Sequence, residues 1–262
     1  MGRNLILGLA AGYHYGDVRP FLASLDREAY AGDLVLFVSE TTRDIERIRA
    51  HGTELAPMTR RPGLEDVPCN GLRYFLYLDW LADCGREYDR ILICDVRDVV
   101  FQADPFAFAW PDGVSCALED PSATVGSCPF NARWVREHLG LDALSAIADR
   151  PVSCSGTTIA DQGAMLDYLG RMTGLLVPPT KGECMAGYDQ GIHNHLIHTG
   201  RIPRLTLFDN HDGPILTLAQ TRGEPAVSEN GRILNAAGRV PPIVHQYDRK
   251  PSLFKLIREQ YA

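Results

Sequence analysis

The chain has 262 residues, of which 45% are hydrophobic and 23% are charged, and its formal net charge is -7. This composition is that of an ordinary globular protein and shows neither a disordered nor a fibrous bias. The acidic balance argues against broad contact with a nucleic acid, because such contact needs many Lys and Arg side chains to neutralise phosphates. We therefore expect a folded protein that does not bind nucleic acid.

The cysteines and the first apolar run bear on where the protein works. The seven cysteines are scattered and form no C-x-x-C pair, which favours reduced thiols over zinc or redox chemistry. The apolar run Leu5 to Ala11 is too short to cross a bilayer and lacks the features of an export signal. The sequence thus predicts no transmembrane segment and a cytoplasmic location.

Short apolar runs alternate with amphipathic stretches in the first half of the chain. Continuous apolar runs of this length are typical of strands that are buried on both faces of a mainly parallel sheet. In chain order we predict strand Leu5 to Leu9, helix Val18 to Leu25, strand Leu34 to Val38, helix Arg43 to His51 capped by Thr41 or Thr42, helix Arg73 to Asp83, strand Ile91 to Cys94 and strand Val114 to Leu118. This alternation predicts an α/β fold.

The pattern becomes less regular after about Pro121. There we predict helix Asn131 to Leu139, a strand near Thr157 to Ala160, a helix capped by Asp161, a helix over Asp189 to Thr199, short strands and loops over Arg201 to Arg239, and a final helix Ser252 to Gln260. Because neither a repeat nor a long linker divides the chain, we expect a single domain, 1–262, that joins two halves, 1–120 and 121–262.

Two carboxylates follow the predicted strand that ends at Cys94. Asp95 and Asp98 lie beyond the carboxyl end of that strand, which is where open α/β sheets bind ligands. Mg²⁺ and Mn²⁺ prefer carboxylate oxygens and share their coordination shell with substrate phosphates. A solvated turn in which Arg97 pairs locally is the alternative. The apolar run Val99 to Phe101 favours the metal site, because it holds the turn against the core on both sides.

A further candidate ligand lies near the C-terminus. The segment Pro242 to His245 is predicted to be a short apolar strand that ends in the histidine, and Lys250 follows five residues later. A neutral imidazole suits Mn²⁺ and a lysine ammonium suits a phosphate, so the two would complement a pair of carboxylates around a diphosphate. A histidine that lies at the surface or satisfies a hydrogen bond in the core is the alternative.

These segments resemble, in the same order, motifs of the GT-A glycosyltransferases, and in particular the retaining group of glycogenin and the bacterial lipooligosaccharide galactosyltransferases. The D-x-x-D of Asp95 and Asp98 is similar to the D-x-D of that family. The segment from His245 to Lys250 resembles its H-x-x-G-x-x-K-P-W element, with a spacing one residue shorter and with Asp248 and Ser252 in place of the Gly and the Trp.

The resemblance implies a GT-A (Rossmann-like) fold, with a mainly parallel central sheet flanked by helices. A nucleotide-binding half, 1–120, would be fused to a sugar and acceptor half, 121–262. Asp95, Asp98 and His245 would hold Mn²⁺ or Mg²⁺, and Lys250 would contact the donor diphosphate. Which of Asp95 and Asp98 is the direct ligand, and which contacts the ribose of the donor or a bound water, stays open.

The first turn has the composition of a nucleotide-binding loop. Ala10, Ala11 and Gly12 allow close approach of the backbone, and Tyr13 is an aromatic side chain that can stack on a nucleobase. An ordinary loop between a strand and a helix is the alternative. We expect these four residues to contribute to the donor site.

The resemblance implies further donor and catalytic residues. Arg73 would face the diphosphate or the sugar, unless it is an exposed helix residue. Ser155 and Gly156 fall in a segment that looks like the N-A-G strand lining the donor sugar, although a simple turn or bulge would also explain the glycine. Asp189 and Gln190 match the D-Q-x-x-x-N segment, whose Asp and Gln lie beneath the anomeric carbon of the sugar. This last match favours a retaining enzyme.

The reaction implied is transfer of a sugar from a nucleoside diphosphate sugar, with a UDP-sugar favoured, to a hydroxyl of an unidentified acceptor. Two alternatives remain at this point. A haloacid-dehalogenase-like phosphatase also places an Asp after an apolar strand, although its D-x-D lies near the N-terminus. A non-catalytic module that binds nucleotide sugars would keep the pocket without turnover.

Overall fold

The computed structural model describes residues 2–261. Strands and helices alternate along most of the chain. The strands are β1 Asn4–Leu9, β2 Asp33–Val38, β3 Glu54–Pro57, β4 Arg90–Cys94, β5 Val99–Phe101, β6 Val114–Leu118, β7 Ser153–Ala160, β8 Leu205–Phe208, β9 Ile215–Thr217 and β10 Ile243–His245. The α-helices are α1 Tyr15–Arg27, α2 Ile45–Arg49, α3 Cys69–Asp83, α4 Pro129–Leu139, α5 Leu141–Ser145, α6 Gln162–Leu176, α7 Tyr188–His198 and α8 Pro251–Gln260.

A seven-stranded sheet with the order β3-β2-β1-β4-β7-β6-β8 forms the centre of the protein. The pairs β1 with β2, β1 with β4, β2 with β3 and β6 with β8 are parallel, whereas β7 is antiparallel to both of its neighbours. The predicted α/β class, with a mainly parallel central sheet flanked by helices, is confirmed. Strands from both predicted halves of the chain join in this sheet, and the arrangement is compatible with a Rossmann-like fold.

Alternating side chains of the central strands enter two separate cores. Leu5 and Leu7 of β1 point to a core that α3, α6 and α7 cover, whereas Ile6 points to a core that contains Phe21 of α1. This division follows from the two-residue period of a strand, which sends neighbouring side chains to opposite faces. Both faces of β1 are therefore buried, which explains why its sequence is continuously apolar.

The order of the strands creates an opening at one edge of the sheet. From β1 the chain first adds β2 and β3 on one side, and later adds β4 on the other side of β1. A reversal of this kind separates the loops that leave the carboxyl ends of the two central strands, and ligands of open α/β sheets bind in the crevice between those loops. Here the crevice lies between the loop after Leu9 and the loop after Cys94.

A three-stranded sheet with the order β5-β10-β9 lies beside this crevice. Strand β10 is antiparallel to β5, with His245 opposite Val99, and parallel to β9, with His245 opposite Thr217. The rings of Phe21 and Phe101 pack edge to face at 5.3 Å, so β5 is fixed against α1. The small sheet thereby brings the end of the chain to the loop that follows β4.

Several local predictions need correction. Helix α2 is shorter than the predicted helix and begins after Asp44, so neither Thr41 nor Thr42 caps it. The hydroxyl of Thr42 instead donates to the carbonyl of Ala10 at 2.8 Å, where it helps to fix the first turn. Strand β7 begins at Ser153 rather than near Thr157, so Gly156 lies inside the strand and not in a turn before it.

Other local predictions are confirmed. The carboxylate of Asp161 accepts a hydrogen bond from the backbone N–H of Ala164 at 2.9 Å, as expected of the residue that caps α6. All seven cysteines are free thiols. Across residues 2–261, none of the helices combines the length and the apolar character needed to cross a membrane.

Candidate metal centre and the cleft beside it

Three side chains converge at the junction of the two sheets. Asp95, Asp98 and His245, called the metal triad below, offer ligand atoms that all lie within 4.8 Å of one another. Nε2 of His245 is 3.3 Å from Oδ2 of Asp95 and 3.8 Å from Oδ1 of Asp98. The three residues predicted as metal ligands are therefore brought together, although 150 positions separate Asp95 from His245.

Backbone hydrogen bonds hold the loop that carries the two carboxylates. The N–H of Asp95 donates to the carbonyl of Gly156 in β7 at 2.9 Å, and the N–H of Gln246 donates to the carbonyl of Asp98 at 2.8 Å. The loop is thus tied to the large sheet at one end and to β10 at the other. Both ties use backbone atoms, so neither of them occupies a carboxylate oxygen of Asp95 or Asp98.

Gly156 leaves room for the metal triad. A Cβ atom at this position would lie 2.4 Å from Cε1 of His245 and 2.6 Å from Oδ2 of Asp95, which is closer than any side chain tolerates. The glycine is needed here for close approach rather than for an unusual backbone conformation. The resemblance had placed Gly156 beside the donor sugar, and the structure places it against the triad.

The charges of the triad shift one another's pKa values. Burial raises the pKa of Asp98 to about 6, and the neighbouring carboxylate of Asp95 adds to that rise while His245 opposes it. Burial also acts to raise the pKa of Asp95, but Arg73 and His245 outweigh it and lower that pKa below its ordinary range. The two aspartates therefore differ, and the charge of Asp98 is the less well compensated of the two.

His245 is fully buried, with its two ring nitrogens in different situations. Burial acts to lower its pKa, but Cys154 and the carboxylates of Asp95 and Asp98 outweigh it and raise that pKa well above the usual value. Nε2 faces the carboxylates, whereas Nδ1 is buried and has no hydrogen-bond partner within residues 2–261. An imidazole in this state can give Nε2 to a cation once its proton leaves.

A buried network connects the triad to the predicted catalytic aspartate. The guanidinium of Arg73 forms an ion pair with Asp95 and lies 3.3 Å from Oδ2 of Asp189. Asp189 is itself buried and accepts hydrogen bonds from Asn70 at 2.6 Å and from the hydroxyl of Ser155 at 3.4 Å. Arg73 is therefore a buried bridge between two carboxylates and not an exposed helix residue.

Gln190 points away from this network. Its Nε2 donates to Oδ1 of Asn131 at 3.2 Å, and its Oε1 lies 3.5 Å from the thiol of Cys154. Cys154 in turn borders the ring of His245. Asp189 and Gln190 are neighbours in sequence, but they lie on different sides of the centre. Asp189 is connected to the triad by Arg73, whereas Gln190 lies beside Cys154.

Glu119 is a buried acid near the centre that the sequence analysis missed. Its side chain is nearly inaccessible, and Oε2 has no hydrogen-bond partner in the described part of the chain. Burial raises its pKa, and the charge of His245 and the amides of Gln190 and Gln220 oppose that rise. Glu119 follows the apolar strand β6 as Asp95 follows β4, so the same strand-end pattern would have found it.

The first turn contributes two of its four predicted residues to the cleft. Ala10 is fully buried, and its backbone is hydrogen-bonded to Phe37 and Thr42, so its role is structural. Gly12 is exposed and adopts a φ of 75°, a left-handed conformation that favours glycine. Ala11 and Tyr13 line the cleft itself.

The cleft consists of two adjoining cavities of about 280 and 260 Å³ that share Leu9, Tyr13, Asn70 and Asp95. The first also contains Asp98, and the second also contains Ala11 and Arg73. The cleft therefore opens at the carboxyl ends of β1 and β4, where the strand order reverses. Ala11, Tyr13, Arg73, Asp95 and Asp98, all predicted site residues, line it together.

Lys250 is directed elsewhere. Its ammonium group donates to the carbonyl of Thr221 at 2.6 Å, and the side chain is buried. Thr221 lines a larger cavity of about 710 Å³, called the large cavity below, whose floor is formed by Leu216 and Leu218. The charge of Lys250 also acts on Asp120 at the same cavity.

Fold and site together define an α/β protein with two carboxylates and an imidazole gathered at the switch point of its sheet. Oxygen and imidazole ligands suit Mn²⁺, Mg²⁺ and related divalent cations, and the three ligand atoms lie close enough together to share one ion. A scan against protein-family models found no matching family, and a search of curated proteins found no match. The function is therefore argued from the chemistry of the site.

Proposed function

We propose that the protein is a GT-A type glycosyltransferase that moves a sugar from a nucleoside diphosphate sugar, with a UDP-sugar favoured, to an acceptor hydroxyl. The convergence of Asp95, Asp98 and His245 at the switch point carries this proposal. The order of the motifs along the chain, which resembles that of the retaining glycosyltransferases, supports it. The reaction needs Mn²⁺ or Mg²⁺.

The metal triad and the cleft divide the task of binding the donor. Asp95, Asp98 and His245 would hold Mn²⁺ or Mg²⁺, which when bound would supply positive charge to the departing diphosphate. Arg73 fixes the orientation of Asp95 from its buried position. Tyr13, half-buried at the mouth of the cleft, offers its ring to the nucleobase.

The chemical step breaks the bond between the anomeric carbon and the diphosphate and forms a bond to the acceptor oxygen. In a retaining transfer the acceptor attacks from the face that the diphosphate leaves, and the acceptor proton passes to the departing diphosphate. The resemblance gives Gln190 the role of steadying the positive charge that develops on the sugar, and its amide oxygen lies 3.5 Å from the thiol of Cys154, which borders His245. Asp189 positions Arg73 through the buried ion pair.

A comparison of turnover and binding tests this proposal. With Mn²⁺ present, the wild-type protein is expected to release UDP from a UDP-sugar, and Gln190→Ala should reduce that rate by about 10²- to 10³-fold. Its affinity for UDP should stay within about twofold, since the amide acts on the sugar and not on the nucleotide. Unchanged turnover in Gln190→Ala would remove Gln190 from the mechanism.

Two outcomes would replace the proposed function. Release of phosphate from a simple phosphomonoester, without binding of UDP or GDP, would identify a phosphatase. Metal-dependent binding of nucleotide sugars without any turnover, with water or with acceptors, would identify a binding module. Matched assays on one preparation separate the three functions, because each predicts a different combination of nucleotide binding and product release.

A further inference from the structure

The large cavity is a second concave site of the described residues, beside the cleft. Its volume of about 710 Å³ lies in the range of small-molecule sites, roughly 300–1,000 Å³, and exceeds that of either cavity of the cleft. The donor motifs do not account for it, because none of the predicted donor-contacting side chains lines it. It is built from the loop after β6, strand β9 and the segments that flank β9.

The floor of the cavity is apolar and rigid. Leu216 and Leu218 are buried, and they belong to the core that also contains Val244 and Tyr247. Leu234 and Ala236 extend this apolar lining towards the rim. Because the floor is part of a packed core, the cavity is preformed and does not depend on movement of the leucines.

The floor is directly connected to the metal triad. Thr217 pairs with His245 in the small sheet, and the N–H of Leu218 donates to the carbonyl of His245 at 3.1 Å. Asp120 also lines the cavity, and the preceding Glu119 lies near His245, with a carboxylate oxygen that has no hydrogen-bond partner among residues 2–261. A molecule that fills the cavity thus lies one strand away from a metal ligand.

The rim of the cavity is polar. The carboxylate of Asp120 accepts a hydrogen bond from the backbone N–H of Ser122 at 2.9 Å, and it lies near the charges of Arg222 and Lys250. A carboxylate of this kind accepts hydrogen bonds from hydroxyl groups. The cavity therefore presents both an apolar floor and hydroxyl-binding groups to one ligand. A sugar alone would contact the hydroxyl-binding groups but would leave the apolar floor uncovered.

We propose that the large cavity binds the acceptor, and that the acceptor is an alcohol with an apolar body, such as an alkyl or aryl glycoside. The apolar body covers Leu216 and Leu218, and the hydroxyl end lies at the Asp120 wall, which the chain joins to the buried Glu119. The role of this ligand as an acceptor rests on the proposed function. Its binding in the cavity does not, and can be measured whether or not the protein transfers a sugar.

Two probes that differ only in their apolar part test the proposal. Octyl β-glucoside, below its micelle-forming concentration, and methyl β-glucoside are titrated into the full-length protein in the presence of UDP and Mn²⁺. Each buried methylene contributes about fourfold to a binding constant, so partial burial of the octyl chain should favour it by at least about 30-fold. Equal affinities, or no binding of the octyl compound, would overturn the proposal.

A matched pair of neighbouring substitutions locates the binding site. Ala236 and Ala237 are both exposed, but only Ala236 lines the cavity. Ala236→Trp fills the cavity and should weaken binding of octyl β-glucoside by at least about tenfold, whereas Ala237→Trp should leave it within about twofold. Equal effects of the two variants would place the probe elsewhere and overturn the proposal.

The same titrations separate failure of this inference from failure of the proposed function. UDP binding that needs Mn²⁺ and is unchanged by Ala236→Trp shows that the donor site is intact in the variant. Metal-dependent UDP binding without preference for the octyl compound refutes the proposed role of the cavity, and the proposed glycosyltransferase function still stands. Octyl binding that Ala236→Trp removes, without any UDP binding, supports the amphipathic site and refutes the glycosyltransferase.

Discussion

Residues 2–261 contain two groups of two aspartates and one histidine whose ligand atoms lie close together, and the two groups differ in burial and in hydrogen bonding. The metal triad and a turn cluster, formed by Asp209, His211 and Asp212, each bring ligand atoms within 4.8 Å of one another. The turn cluster is exposed and spans four consecutive positions, whereas the triad joins two sheets and includes a fully buried imidazole. Proximity alone therefore does not distinguish a ligand site.

The hydrogen bonds of the two groups reveal their different roles. Oδ1 of Asp209 accepts hydrogen bonds from the backbone N–H groups of His211 at 2.8 Å and Asp212 at 3.0 Å, so this carboxylate closes a local turn. In the triad, Nδ1 of His245 is buried without a partner among residues 2–261, and the two partly buried carboxylates repel each other. Unfavourable buried groups of this kind are typical of functional sites.

The largest expected effect comes from filling the space beside the triad. Gly156→Ala places a methyl group against His245 and Asp95, and should lower the metal-dependent affinity for UDP by about 100-fold and stability by about 1–3 kcal/mol. Gly170→Ala in helix α6 is the control, because a Cβ there meets nothing within 4 Å. It should keep UDP affinity and raise stability by about 0.5–1 kcal/mol. If Gly156→Ala kept the wild-type affinity for UDP, the triad would not be the ion site, and the turn cluster would become the stronger candidate.

The ion pairs provide the next test. Arg73→Met leaves Asp95 and Asp189 without their shared cation, and should lower the free energy of unfolding by roughly 3 kcal/mol. Arg61→Met removes a surface ion pair with Asp79 and should cost less than about 1 kcal/mol. Urea denaturation of the two variants measures both values. Equal losses would show that the network around Asp189 is solvated and does not support the triad.

The smallest expected effects come from replacing one aspartate of each group with asparagine, and the resulting changes in the free energy of unfolding have opposite signs. Because the folded-state pKa of Asp98 is raised to about 6, its ionised form destabilises the metal-free protein above that pH. Asp98→Asn should therefore raise the free energy of unfolding by about 1–2 kcal/mol at pH 7.5, and this gain should vanish as the pH falls below about 4. Asp209→Asn replaces a turn carboxylate and should lower stability by roughly 0.5 kcal/mol. A loss of stability in Asp98→Asn at pH 7.5 would contradict the account of the triad.

The sequence predicted the members of the triad because each carries a local signal. Asp95 and Asp98 follow an apolar strand, and His245 ends another, and strand ends of an α/β sheet are where ligands gather. The cap of α6 by Asp161 is a similar local feature, and it too was predicted correctly. Local patterns depend on a few neighbouring residues, so one sequence suffices to read them.

Features that depend on distant contacts were not predictable in the same way. The pairing of β5 with β10, which brings His245 to Asp98, depends on the packing of a small sheet against α1. The direction of Lys250, towards Thr221 and the large cavity, likewise depends on tertiary contacts. Antiparallel β7, which carries Gly156, gave no sign of its direction in the sequence. Such arrangements arise from long-range packing that periodicity does not encode.

The central claim is that the metal triad, and not the turn cluster, binds the ion that holds a nucleoside diphosphate. Calorimetric titration of UDP, with and without Mn²⁺, into the wild-type protein, Asp98→Asn and Asp209→Asn tests it most directly. We expect UDP binding that needs Mn²⁺, that Asp98→Asn abolishes and that Asp209→Asn preserves. UDP binding that is the same with and without Mn²⁺, or that is unchanged in Asp98→Asn, would contradict the claim.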